Sequence, residues 1–202
     1  MTAAQPINRI EKRKLEFRRK ITEAAVRLFE ENGVSDTSIA SIIKEADIAH
    51  KTFFNHFPTK EHLLRHVAST FSHRAYQSFS DQITRINDPK KRVAFCLKSI
   101  AKELSGVKDH YKELLNLYLI SGAAESDLQS EQRAQFTSLI RQIIVEARAQ
   151  NQLQHDFSDD TLTDIIIGLC IATLLAWSLE DNYPIVEKMR QQVEFINATV
   201  FV

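Results

Sequence analysis

Apolar positions along this chain recur at spacings of three and four almost throughout. Phe17, Ile21, Ala24, Ala25, Leu28 and Phe29 share one face, which predicts a helix of about 15 residues with a single buried stripe. Asn32-Gly33 then offers a left-handed stop. Ser38 stands ready to cap a second, short helix carrying Ile39, Ile42, Ile43 and Ala46. Asp47 follows as a turn residue, because Asp tolerates a left-handed backbone better than most. A third short helix is expected over 49–56. Pro58 ends it, and Thr59 is placed to cap a fourth. That fourth helix is long: Leu63, Leu64, Val67, Phe71, Ala75, Phe79, Ile83 and Ile86 keep the period. Further helices are expected at 89–105, 108–121, 127–150 and 160–181, and from 184 to the C-terminus. Pro89 falls in the first turn of one of them, where its missing N–H costs nothing. No strand pattern, internal repeat or low-complexity segment interrupts the series. The expected fold is all-α, with about nine helices.

Composition adds little to this and excludes some classes. The 202 residues include only 4 Gly and 4 Pro, too few for a many-stranded, turn-rich protein. The formal net charge is zero, but it is unevenly placed. Residues 1–75 hold 13 Lys and Arg against 9 Asp and Glu, and the remaining chain has the opposite excess. An excess of positive charge at one end suggests a polyanionic partner there. Residues 1–15 read as a polar arm, with seven basic residues between Arg9 and Lys20 that suit phosphates or a minor groove. Two cysteines, Cys96 and Cys170, fit no zinc spacing and read as buried thiols in a reducing cytoplasm. The longest low-charge run, Ile165–Leu179, is shorter than the roughly 20 residues needed to span a bilayer. No membrane association is expected, and the expected location is cytoplasmic.

The stretch KTFFNHFPTKEHLL, residues 51–64, crowds rings and hydrogen-bonding groups together. Three short helices with a tight turn between the second and third make a helix-turn-helix. In such a module one face of the third helix packs and the other enters a major groove. Ile48, Phe53 and Phe57 suit packing. His50, Lys51, Thr52, Asn55 and His56 suit the groove, and Phe54 suits neither as neatly.

The segment ITEAAVRLFEENGVSDTSIASIIKEADIAHKTFFNHFPTKEHLL resembles the DNA-binding module of the tetracycline-repressor (TetR) family. The resemblance covers residues 18–64. It implies a homodimer that binds double-stranded DNA at a pseudo-palindromic operator, usually as a repressor released by a small molecule. Matched position by position, Ala49, His50, Lys51, Thr52, Phe54, Asn55 and His56 fall where the family reads bases and grips phosphates. Ser38 and Ala40 lie at the start of the second helix, which also approaches DNA. Lys60 matches a lysine that anchors the fourth helix to the DNA backbone. The sequence departs from the family pattern in three places. Asp47 replaces the usual turn glycine, Ile43 a common alanine, and Phe54 a common tyrosine, so a phenolic phosphate contact is lost. The pair His50 and His56 suggests tighter DNA binding as pH drops through about 6.5.

The rest of the chain carries weaker signals. LTDIIIGLCIATLLAWSL, residues 162–179, is apolar nearly all round and needs partners on every side. Its own subunit covers only part of it, so Ile165, Gly168, Leu169, Ala172 and Ala176 are expected at a dimer interface. Met189, Val193 and Ile196 of the last helix are expected to complete a four-helix contact. The resemblance also implies a ligand site among the middle helices, with Phe71, Phe95, Cys96, Leu115, Tyr118, Phe136, Ile140 and Trp177 as candidate lining. The scarcity of charge on these faces favours an apolar or aromatic ligand. His62 and His66 stand at a metal-compatible i, i+4 spacing, but nothing in sequence completes a ligand set, so helix packing is the expected role. No metal, cofactor or catalytic constellation is expected. Three other readings stay open: a regulator without a small ligand, a helical carrier or enzyme that has lost DNA binding, and an adaptor that uses its dimer surface. The intact Lys51, Thr52, Asn55 and Lys60 weigh against the carrier.

Overall fold

A computed structural model describes residues 8–106, 110–120 and 127–202. Within these, the side chains of 71, 72, 74, 75, 78, 79, 110, 111, 117, 118, 120 and 127–133 fall outside the description. Among the described residues there are nine α-helices: α1 (Arg9–Asn32), α2 (Ile39–Glu45), α3 (His50–His56), α4 (Lys60–Ile83), α5 (Pro89–Ser105), α6 (His110–Ile120), α7 (Asp127–Ala149), α8 (Asp159–Leu179) and α9 (Ile185–Thr199). The chain divides into two compact units, Met1–Ala68 and Ser69–Val202, with the boundary inside α4.

In the first unit, α1 is longer than its apolar stripe predicts. Residues 9–15 continue the helix, capped by the Asn8 side chain, which accepts from the Ile10 N–H. The basic, Leu- and Glu-containing segment has good helix formers and no breaker, so it stays helical although Ile10 and Leu15 find no cover. Ile21, Ala24, Ala25 and Phe29 form the buried face. Gly33 ends the helix at φ 83°, a value that strains any residue with a Cβ. Thr37, 2% exposed, donates from Oγ1 to the Gly33 carbonyl at 2.7 Å and so closes this turn. Ser38 caps α2 by accepting from the Ser41 N–H at 3.0 Å. Asp47 adopts φ 49° in the turn before α3, the left-handed geometry expected of it. Thr59 caps α4 by accepting from the His62 N–H at 3.3 Å.

The second unit packs α5 on α9, α7 on α8, α6 on α8 and α8 on α9. Val93, Cys96 and Leu97 of α5, Ile140, Ile143 and Ile144 of α7, Ile166, Cys170 and Trp177 of α8 and Met189, Val193 and Ile196 of α9 belong to one core. Arg92 of α5, 8% exposed, pairs with Glu146 of α7 inside this layer. Gln192 of α9 donates to the Leu169 carbonyl at 2.8 Å and to Thr173 Oγ1, which fixes α9 on α8. Asp159 and Asp160 sit in the first turn of α8, where carboxylates oppose the helix dipole favourably. Both also pair at 2.7 Å with arginines of α7, Asp159 with Arg148 and Asp160 with Arg141.

Helix α9 stops short of the predicted C-terminal run. Residues 200–202 instead lie beside the loop after α7: the Val202 N–H donates to the Gln152 carbonyl at 2.9 Å, and Leu153 bridges Phe201. Phe201 is wholly buried there, and its burial gains more than another turn of helix could. By length and composition α8 qualifies as a membrane span. Leu162, Thr163, Ile166, Cys170, Thr173 and Trp177 on one face are buried in this unit's core, which is how a core helix passes that test.

Candidate nucleic-acid interface

Helix α3 is only seven residues long, and its two faces are sharply divided. Phe53 is fully buried, and Phe57, just past the helix, is 1% exposed. The opposite face is open: Ala49, His50, Lys51, Phe54 and Asn55 are all exposed. Positions 51, 54 and 55 stand one turn apart, so they present a continuous strip. The His50 and Phe54 rings lie 4.7 Å apart, and the Phe54 ring meets Phe53 edge-on at 5.3 Å. Phe54 therefore bridges the packed and open faces. Thr52 is half-buried at the flank of the strip. At the start of α2, Ser38 and Ala40 are exposed. This surface offers an ammonium, an imidazole, an amide and an apolar ring on one short helix, the mixture that reads base edges and phosphates in a major groove.

Two of the expected DNA-contacting residues, His56 and Lys60, also make contacts within the module. His56 packs toward α1, with its ring 5.8 Å from Phe17 and its Nδ1 buried. Burial lowers its pKa, and the charges of Arg18 and then Lys14 lower it further. Both effects work against the proton that the expected phosphate contact needs. The residue lies one turn beyond Thr52, on the packed flank of the helix, and the positive charge of α1 opposes its protonation. Lys60, expected as an anchor to the DNA backbone, donates from Nζ to the Val34 carbonyl at 2.6 Å and to the Ser35 carbonyl at 3.4 Å. Its charge thus ties the start of α4 to the α1–α2 loop.

A group that the periodicity did not single out lies beneath the reading helix. The Arg18 guanidinium sits 4.9 Å from the centre of the Phe57 ring and contacts His66 Nδ1 at 3.3 Å. His66 also faces the Phe57 ring at 5.3 Å. Arg18 looked like one more member of the basic arm, and His66 like a solvated or packing histidine. Only the fold brings them together. The other half of the His62/His66 pair is used separately, with His62 Nδ1 at 2.8 Å from Thr59 Oγ1. Among the described residues there is no cluster of three or more metal-ligating side chains.

The comparisons with known proteins point the same way as this geometry. Residues 21–67 match the family described as bacterial regulatory proteins, tetR family. The match covers the helix-turn-helix segment, from α1 to the start of α4. A relative, the HTH-type transcriptional regulator LmrA of Bacillus subtilis (strain 168), is 32% identical over 115 residues. Those residues are 56% of this chain and 59% of that relative, so the chain spans little more than half of its length. Among solved structures, the transcriptional regulator FadR from Bacillus subtilis in complex with stearoyl-CoA superposes with a TM-score of 0.69. It is 19% identical, with 88% of this chain and 96% of that one covered. A putative transcriptional regulator from Saccharomonospora viridis in complex with choline gives a TM-score of 0.70 at 18% identity, covering 93% and 99%. At such identities the likeness extends to the fold alone.

In the C-terminal unit, the described members of the candidate ligand site share one core. Cys96, Ile140 and Trp177 are buried in it, and Phe95, Leu115 and Phe136 pack against it half-buried. Phe71 and Tyr118 lie outside the described side chains. Burial pushes both the Cys96 and Cys170 thiols up to about 12, so both stay protonated. Of the expected interface residues on α8, Ile165, Gly168 and Ala172 are exposed, and Leu169 and Ala176 are half-buried. On α9 the expectation is corrected: Met189 and Ile196 are wholly buried and Val193 is 5% exposed, all within their own subunit's core. The strongest apolar stripe of a helix goes to the nearest core. What α9 leaves outside is Val186 and Phe195, each 54% exposed.

Proposed function

We propose that the protein is a cytoplasmic, homodimeric transcriptional repressor that reads a pseudo-palindromic operator and is released from it by a small apolar or aromatic ligand. The observation that carries this reading is the open strip of α3. His50, Lys51, Phe54 and Asn55 lie side by side on a helix held from behind by Phe53 and Phe57. On a helix seven residues long, Lys51 and Asn55 stand outward beside the His50 and Phe54 rings, a surface that suits a major groove. Ser38 and Ala40 extend the surface at the first turn of α2.

The second subunit is expected on the outer face of α8 and α9, where Ile165 is 43% exposed and Leu179 is 65% exposed. A symmetric dimer carries two copies of the reading helix, which is why the operator is expected to be palindromic. The ligand is expected among α4 to α8, as the resemblance implies. The stearoyl-CoA and choline bound by the two structural relatives show no common chemistry, so they do not select a ligand for this chain. Release is a shift between two states, and coupling of about 1–3 kcal/mol must act reciprocally on DNA and ligand.

Selection of duplexes from a random pool by the purified protein tests the reading. The expected result is a palindrome with half-sites about one helical turn apart. Recovery of unrelated duplexes at physiological salt, with affinity no better than for bulk DNA, overturns it.

A further inference from the structure

We infer that Arg18 and His66 are positioning residues. By clamping the Phe57 ring, they lock the reading helix to the first two turns of α4, so that α1–α3 and residues 60–68 act as one rigid reading head. This rests on the regulatory reading above and specifies where, in that reading, movement cannot occur.

The clamp joins three elements at one ring. Phe57 is the residue that ends α3, and its N–H donates to the Phe53 carbonyl at 2.8 Å, so moving Phe57 moves the end of the reading helix. On one side the ring meets Phe53, with centroids 6.1 Å apart. Elsewhere it is held by the Arg18 guanidinium of α1 and the His66 imidazole of α4. Those two groups also contact each other at 3.3 Å. A guanidinium only donates, so His66 must receive at a bare Nδ1 and be neutral. The surroundings enforce that state: burial first and the Arg18 charge second bring His66 down to about 4. The charged groups near this side of the head are Arg18 and Lys14 of α1 and, when protonated, His56 of α3. The Arg18 charge opposes a proton on His66, and Arg18 and Lys14 together oppose one on His56.

A second tether acts one and a half turns earlier, where Lys60 holds the carbonyls of Val34 and Ser35. With both in place, the short connection Phe57–Thr59 is not a free joint. Rotation of α4 against α3 would break the Arg18–His66 contact or drag Phe57 out of its site. The compact first unit accordingly extends through Ala68, two residues past His66, rather than stopping where α4 begins. Any bending that separates reading from regulation then lies beyond residue 68.

The test uses the full chain with His66→Leu, His66→Gln, Arg18→Met and the double variant Arg18→Met/His66→Leu. Gln retains an acceptor for the guanidinium and Leu does not. In wild-type protein the His66 ring, followed by NMR, is expected to titrate near 4, and in Arg18→Met to move upward. Titration near 6.5 in wild type, or no movement in Arg18→Met, overturns the clamp. Against a duplex selected by the wild-type protein, His66→Leu is expected to lose about tenfold in affinity with its base preference unchanged. His66→Gln should recover most of this, and the double variant should be no worse than the poorer single one. Wild-type affinity in His66→Leu, no recovery in His66→Gln, or losses that simply add overturn the proposal. If the wild-type protein selects no duplex, the regulatory reading fails separately. The clamp is still decided by hydrogen exchange: the Phe53 and Phe57 amides should exchange at least tenfold faster in His66→Leu, and unchanged exchange rejects it.

Discussion

Lys60 Nζ donates to the Val34 carbonyl at 2.6 Å across the mouth of the α1–α2 loop. This contact gives the lysine a structural role within the module. The sequence motif points it at DNA, and the fold uses two of its three donors to hold its own loop. Lys60→Ala should therefore destabilise the head, by about 1.5 kcal/mol, the lower end for a hydrogen bond from a charged group. Trp177, the only tryptophan, lies in the other unit. Urea unfolding followed by circular dichroism should thus show the loss, while tryptophan fluorescence should not. Equal curves for the two proteins by both probes would remove the tether.

Asp47 offers a test in the other direction. Its φ of 49° strains a residue with a Cβ, and glycine relieves that strain at some cost in unfolded-chain entropy. Asp47→Gly is expected to stabilise the head by about 0.5 kcal/mol net, since strain of roughly 1–2 kcal/mol outweighs the entropy. A lower urea midpoint in the variant would show that the Asp side chain supplies something the backbone geometry does not reveal.

What could be read in the sequence, and what could not, follows from the range of each signal. Helix periodicity is local, and so are caps such as Ser38 and Thr59 and stops such as Gly33. Those gave element positions close to the ones observed, and Pro89 and Ser105 bound α5 as predicted. The open face of α3 was legible because a seven-residue helix has only two sides to assign. The misassignments concern contacts between elements. Nothing local tells that Arg18, one of the seven basic residues between Arg9 and Lys20, turns inward to His66, 48 positions away. The apolar stripe of α9 announces burial without saying whether the partner is its own core or another chain. For Met189, Val193 and Ile196 it is their own core.

Lys51 and Asn55 are expected to fail differently. Lys51→Ala should weaken binding to every duplex and reduce the log–log salt slope by about one, because one fewer counterion is released. Asn55→Ala should keep the slope but relax the preference at one base pair, by about 1–3 kcal/mol. Binding isotherms at several salt concentrations, on the selected duplex and its single-position variants, separate the two. The same slope in both variants would mean that this assignment of roles is wrong.

Acid should loosen the head. The folded-state pKa of His66 is pulled down to about 4, so between roughly pH 6.5 and 4 the unfolded chain binds the proton and the folded chain does not. Stability contributed by the neutral ring is present above the ordinary histidine value and is lost as pH falls through that window. The integrated effect is up to about 3 kcal/mol. The lowered pKa of His56 acts with the same sign. The urea midpoint of the head, by circular dichroism, should fall steadily from pH 7 to pH 4 in wild type and less steeply in His66→Gln. Parallel profiles would refute the assignment.

The two apolar faces of α8 and α9 should respond oppositely to substitution. Ile165 is 43% exposed on α8 and Phe195 54% exposed on α9, while Met189 is fully buried. A glutamate at an exposed position finds water in the monomer but is desolvated in an interface. Ile165→Glu and Phe195→Glu are therefore expected to shift sedimentation towards monomer at micromolar concentration, with little change in the fluorescence-detected unfolding of the C-terminal unit. Met189→Ala removes side-chain volume from a filled core and should cost about 2–5 kcal/mol of that unit's stability, the range for large-to-small core changes. Because α9 is pinned to α8 from within by Gln192, modest loosening at Met189 should leave assembly intact at concentrations where the fold persists. If both glutamate variants sediment as wild type does, and wild type is itself a dimer, the contact lies on another face.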